Sequence, residues 1–165
     1  VVVGANIKAI HTSVSDATGN GAAIDLGIQA PRVAVVGEGD LDLGASANNF
    51  GPSIEVGGVS SPLPLNMRAG FFWRTSPVVN SALDVVFPVD QDPYVCFGIE
   101  GVIRERSWKG FLRSGYNQSH SRDVEGLSGI TAGAGLDLMR WKIDYAWIPF
   151  GHLGTTNRVA LTYRF

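Results

Sequence analysis

The residue types that chemistry uses are scattered thinly through this chain. The stretch NQSHSRDVEG holds Ser119, His120, Ser121 and Asp123, the types of a hydrolase triad. A triad converges from separate elements, whereas these residues are neighbours in one loop, and no G-x-S-x-G accompanies them. Glu38, Asp40 and Asp42 offer carboxylates to Ca²⁺, but alternate acidic residues read more simply as a solvated strand edge. His11, His120 and His152 lie apart, without metal-ligand spacing. Gly37-x-Gly39 and Gly133-x-Gly135 lack the strand–turn–helix setting of a dinucleotide site and read as strand glycines. Cys96 is the only cysteine, which excludes an internal disulfide and a cysteine-based zinc site. The expectation is a protein that is not an enzyme and uses no cofactor or metal.

What remains is a set of charged residues recurring at alternate positions, and composition says where they can sit. The chain has 165 residues, 13 Lys+Arg and 15 Asp+Glu, for a net charge of −2. No basic surplus neutralises phosphates, so no nucleic-acid partner is expected. Charged residues make up 17%, against a usual ~25%. Hydrophobic residues make up 45% and there are 21 glycines, too apolar a mixture for a disordered chain. No run of about 20 apolar residues could form a membrane-spanning helix. The opening VVVGANIKAI lacks the features of a signal peptide, so a mature form or a piece of a longer protein is expected.

Helical periodicity is nearly absent, and alternation with a period of two dominates. In TTNRVALTYRF, Val159, Leu161, Tyr163 and Phe165 share one face, with Arg158 and Arg164 on the other. In RWKIDYAW, Trp141, Ile143, Tyr145 and Trp147 oppose Lys142 and Asp144. In GITAGAGLDL, Leu136 and Leu138 oppose Asp137. Further back, Trp108, Leu112 and Tyr116 oppose Lys109 and Arg113; Val95, Phe97 and Ile99 oppose Cys96 and Glu100. Leu83 and Val85 oppose Asp84, and Met67, Phe71 and Trp73 oppose Arg68. Weaker strands are expected around 3–11, 21–30 and 40–48, about ten in all.

Alternation alone does not say which face is wet. Three features favour an apolar face toward lipid and a polar face toward a lumen. The polar face is rich in Gly, Ala, Ser and Thr, which suit a crowded interior. Aromatics cluster near strand ends, as in interfacial girdles. Short turns near 74–77, 105–107 and 139–140 alternate with longer connections near 49–62, 88–92, 117–125 and 149–154. The segment 31–39 departs from this rule, being long where a short turn is expected. The fold expected is therefore all-β: an antiparallel up-and-down transmembrane barrel, with residues 1–165 as one barrel domain. Asp84, Arg68, Glu100, Arg113, Asp137, Lys142, Asp144, Arg158 and Arg164 would face the lumen, mostly as ion pairs, because buried charge needs partners. Leu136, Leu138, Trp141, Ile143, Tyr145 and Trp147 would face lipid. Pro149, Phe150, Gly151, Leu153 and Gly154 would form a tight outer loop, with Pro149 ending the ladder and the glycines taking φ > 0.

Three stretches carry a family likeness. NNFGPSIEVGGVSSPLPLNMRAGF (48–71), LRSGY (112–116) and above all IDYAWIPFGHLGTTNRVALTYRF (143–165) resemble the PorV family, a branch of the FadL-like, fatty-acid-transport-type outer-membrane barrels. The resemblance implies an outer-membrane location in a Gram-negative bacterium and a longer barrel, of which this chain would be the C-terminal two-thirds. It implies a barrel-assembly signal at Val159, Leu161, Tyr163 and Phe165. Its implied partners are the membrane lipid, the assembly machinery, and either secreted-protein C-terminal domains or hydrophobic solutes. Three functions follow: a partner in protein secretion and surface attachment, passive transport of small hydrophobic solutes such as fatty acids, or a structural barrel.

Overall fold

A computed structural model describes residues 1–14, 17–122 and 128–165 of the chain. The strands are β1 (Val2–Val14), β2 (Ala17–Val36), β3 (Gly39–Phe50), β4 (Ile54–Val56), β5 (Val59–Ser61), β6 (Asn66–Ser76), β7 (Val79–Pro88), β8 (Tyr94–Arg104), β9 (Trp108–Asn117), β10 (Ile130–Leu138), β11 (Trp141–Pro149) and β12 (Thr155–Tyr163). One short helix, α1 (Gln118–Arg122), and a 3-10 turn at Gly151–Leu153 interrupt them. Ten strands form one antiparallel up-and-down sheet in the order β1-β2-β3-β6-β7-β8-β9-β10-β11-β12, with β4-β5 as a separate hairpin. Among the described residues β1 and β12 do not pair, so the sheet is open. No helix there is long and apolar enough to cross a membrane.

The alternation read from sequence is the parity of this sheet. Successive side chains of a strand point to opposite faces, and directly paired residues share a face. Leu136 pairs with Ile143, and Ile143 with Leu161; Leu83 pairs with Phe97, and Phe97 with Tyr116. One apolar face therefore runs unbroken across the strands. The connections sort by rim. Turns at 37–38, 77–78, 105–107 and 139–140 share one rim, while the connections 51–65, 89–93, 118–129 and 150–154 share the other.

The segment 31–39 does not break the rule. β2 continues to Val36 and turns through Gly37 and Glu38. Pro31, which has no N–H to give a ladder, sits in a bulge: Ala30 pairs with Leu43 and Ala34 with Leu41. Four steps on β2 thus match two on β3. Arg32 takes a positive φ of 54° there, and the Asp42 carboxylate accepts its backbone N–H at 2.9 Å. Glu38 is exposed in the turn, but Asp40 and Asp42 are accordingly not a solvated edge. Asp42 is only 4% exposed and pairs with Arg74, while Asp40 meets Arg32 at 3.1 Å. Tying the bulge down required a buried carboxylate with two donors.

The connection 51–65 also holds more structure than a loop. Its β4–β5 hairpin lies on β2, where Ile54, 7% exposed, covers the backbone at Gly19 and Gly21. A Cβ at Gly51 would run into the Ala22 carbonyl, so only glycine allows this approach. β2 is paired with β3 only from Ile24 onward. The tip of the β1–β2 hairpin therefore stands above the rim with β4–β5 packed on it.

Among the described residues no second layer covers the ten-stranded sheet. The core there is small, Ala23, Ile54, Val86 and Val102, while most large apolar side chains of the apolar face are exposed and Phe71, Trp73, Leu83 and Val85 are half-buried. Ile54→Ser should release the β4–β5 hairpin and leave the sheet unchanged. Limited proteolysis should then cut faster within 53–62, with amide exchange in β6–β12 unaltered.

Candidate functional site: a charged belt on the inner face

In a single-layer sheet the two faces differ in exposure only through curvature. Along β8 to β11 most polar-face residues are the more covered ones, with Arg104 and Lys109 beside the short turn exposed. That face is the concave one. Residues in register cross it as a row: Asn80, Glu100, Arg113, Gly133, Ala146 and Arg158, one from each of β7 to β12.

Arg113 is the centre of this row. Its Nε donates to Glu100 Oε2 at 2.7 Å, and its Nη1 donates to Asp144 Oδ1 at 2.6 Å. Glu100 Oε1 accepts from Asn80 Nδ2 at 3.0 Å, and Lys142 Nζ lies 3.1 Å from Asp144 Oδ2. Each carboxylate oxygen of the pair thus has a donor. Phe111 lies under both cations, with the Arg113 guanidinium 4.9 Å and the Lys142 ammonium 5.7 Å from its ring centre, a cation–π arrangement. Arg113 is on β9 and Asp144 on β11, so the bridge passes over β10. Gly135 makes that possible: a Cβ there would sit 2.6 Å from Asp144 Oδ1 and 3.1 Å from the Arg113 guanidinium. One glycine of the Gly133-x-Gly135 pair is thus the floor under an ion pair.

The other residues expected in the lumen divide into pairs and one exception. Arg68 meets Asp84 at 3.3 Å and Arg164 meets Asp137 at 2.7 Å. Lys8 meets Asp25 at 2.7 Å and also donates to Asn49 Oδ1 at 2.6 Å, at a second bulge where Asn49 has φ 62°. Arg158 has no ion-pair or hydrogen-bond partner among the described residues. A cleft of about 460 Å³ opens on the concave face over this row. Among the described residues no group of His, Cys, Asp or Glu is arranged to hold a metal.

Residues expected to face lipid lie on the opposite, convex face. Leu136, Leu138, Trp141, Ile143 and Tyr145 are exposed there, and Trp147 is half-buried. Tyr145 donates its hydroxyl to Asn157 at 2.7 Å. Val159, Leu161 and Tyr163 continue the same face in register. The Trp141 and Tyr163 rings lie 4.7 Å apart, and Phe165, beyond the end of β12, meets Tyr163 edge-on at 5.3 Å. In the outer loop, Pro149 still pairs with Thr155, and Gly151 and Gly154 take φ of 56° and 99°. Phe150 packs on His120 of α1, with ring centres 5.2 Å apart. Asp123 and the Leu153 side chain lie outside the described residues, and Ser119, His120 and Ser121 are not joined to one another by hydrogen bonds.

Three participants escaped the sequence reading. Asn80 and Phe111 needed the register to place them beside Glu100 and Lys142. Arg74 needed the β3–β6 register, which pairs it with Asp40 and sets Asp42 diagonally beside it. Compared with family models, curated proteins and solved structures, the chain gives no match.

Because Arg113 holds two carboxylates, Arg113→Ala should cost about 2 kcal/mol or more. Arg164→Ala, which breaks one exposed pair, should cost well under about 1 kcal/mol. Urea titration of the folded protein in detergent should rank the two variants so. Gly135→Val should behave like Arg113→Ala, by blocking the bridge.

Proposed function

We propose that this chain forms the wall of an outer-membrane β-barrel of the PorV/FadL-like type, in a Gram-negative bacterium, and acts there as a partner in protein secretion and surface attachment. The observation that carries the membrane reading is the uncovered apolar face. A soluble sheet hides such a face under a second layer, and here none exists while the opposite face holds the ion pairs. Lipid as the solvent of the convex face accounts for both. Strand length agrees: β6 to β12 each have 9 to 11 residues, and crossing hydrocarbon takes about 9–11. Short turns on one rim and longer connections on the other are also what such barrels have. Barrel closure then satisfies the edges of β1 and β12, which hydrocarbon would leave unpaired.

The secretion reading rests on the rim opposite the short turns. There β4–β5 packs on β2, and Phe50 at the end of β3 and Val59 on β5 are exposed, an apolar platform for a protein. The alternating Val159, Leu161, Tyr163 and Phe165 suit recognition by the barrel-assembly machinery. A second reading, passage of small hydrophobic solutes, has its own observation in the concave cleft.

Leu136→Arg and Ile143→Arg should each cost about 2–4 kcal/mol near the midplane and abolish the heat-modifiable band in outer-membrane fractions. Lys142→Gln, on the inner face, should leave it. An Ile143→Arg protein that still assembles would overturn the assignment of faces. For the secretion role, deleting 53–62 should preserve the barrel and abolish capture of a secreted protein's C-terminal domain. Capture unchanged by the deletion, together with uptake of labelled fatty acid into liposomes, would favour the transport reading.

A further inference from the structure

The charges bordering the concave cleft are unequal in their freedom. Each oxygen of Glu100 and Asp144 already meets a donor, from Asn80, Arg113 or Lys142. Arg113 gives its Nε and Nη1 to the same two carboxylates. Arg158, which also lines the cleft, gives none of its donors to a partner among the described residues. Its register partner is Ala146, the next inward residue on its strand is Ala160, and Gly133 lies beyond Ala146. Toward the other end of the strand its inward neighbours are Thr156 and Ile148, and Ile148 also lines the cleft. The cleft thus offers two carboxylates already engaged by cations and, at Arg158, a fork of N–H donors without a partner among the described residues.

We propose that Arg158 is an anion-binding residue of the inner face, taking the carboxylate of a small organic acid in a two-point contact. A guanidinium fork matches a carboxylate in plane and spacing, and the carboxylates of the belt already face the cations Arg113 and Lys142. The volume of about 460 Å³ suits a small ligand. The small side chains beside Arg158 accept an uncharged body on that ligand. The inference rests on the reading of the concave face as a water-filled lumen.

The test is calorimetric titration of the full chain, folded in detergent micelles, with benzoate and with benzamide as its neutral counterpart. Benzoate should bind and benzamide should not. Arg158→Gln should weaken benzoate by about tenfold or more. Arg158→Lys should fall between, because a point charge lacks the fork. Glu100→Gln should not weaken it. Equal benzoate affinity in wild type and Arg158→Gln, equal binding of benzamide, or no benzoate binding by the folded wild type would each overturn the proposal. A protein that folds and inserts into membranes yet fails these titrations loses only this site. A protein that is monodisperse without detergent loses the membrane reading beneath it.

Discussion

Everything in this structure depends on parity. A β-strand alternates its side chains with a period of two, so one slipped residue turns a strand inside out. The large sheet has nine pairings between neighbouring strands, and its apolar face is continuous only because each keeps the same sense. Where the ladder is disturbed, polar side chains hold the disturbance in place. Asp42 fixes the bulge at Arg32. Asp25 accepts the backbone N–H of Asn49 at 2.9 Å where β3 carries an extra residue. These carboxylates act on the backbone, which is why they sit at irregularities.

Curvature converts parity into chemistry. Rolling a sheet toward its polar side crowds that face, and small residues relieve the crowding. The Arg113 bridge to Asp144 draws on both effects, since it spans an intervening strand and needs a bare backbone at Gly135 beneath it. Phe111 adds an aromatic floor that stabilises the two cations above it. The belt is therefore a property of four strands in register, β8 to β11, with Asn80 of β7 attached through Glu100.

From β6 to β12 the sequence was transparent, because bulky residues alternate there with polar or small ones and turns of two or three residues punctuate them. The first three strands were harder to read. Alanines and glycines such as Ala5, Ala9, Gly21 and Gly27 blur the contrast, and Pro31 resembles the start of a loop. The β4–β5 hairpin was invisible, since it exists by packing Ile54 on a remote strand. Charges on the inner face could be counted from sequence, whereas their pairing depended on register. Arg113 meets Glu100 directly but Asp144 diagonally, and no spacing in the chain encodes the second. Asp42 was misread for the same reason: alternation marked it as an edge residue, and only the fold gives it Arg74 and the Arg32 amide.

The bulge at residues 31–33 bears on how such a wall can change in length. It adds two residues to β2 without reversing either face, because an even insertion returns the strand to its original sense. An odd insertion must be absorbed by a residue bent out of the ladder, as Asn49 is with its left-handed backbone. Descendants of this sequence can therefore gain or lose residues in twos along a strand with the inner and outer surfaces intact. Single insertions are confined to places where an asparagine or glycine can take the bend.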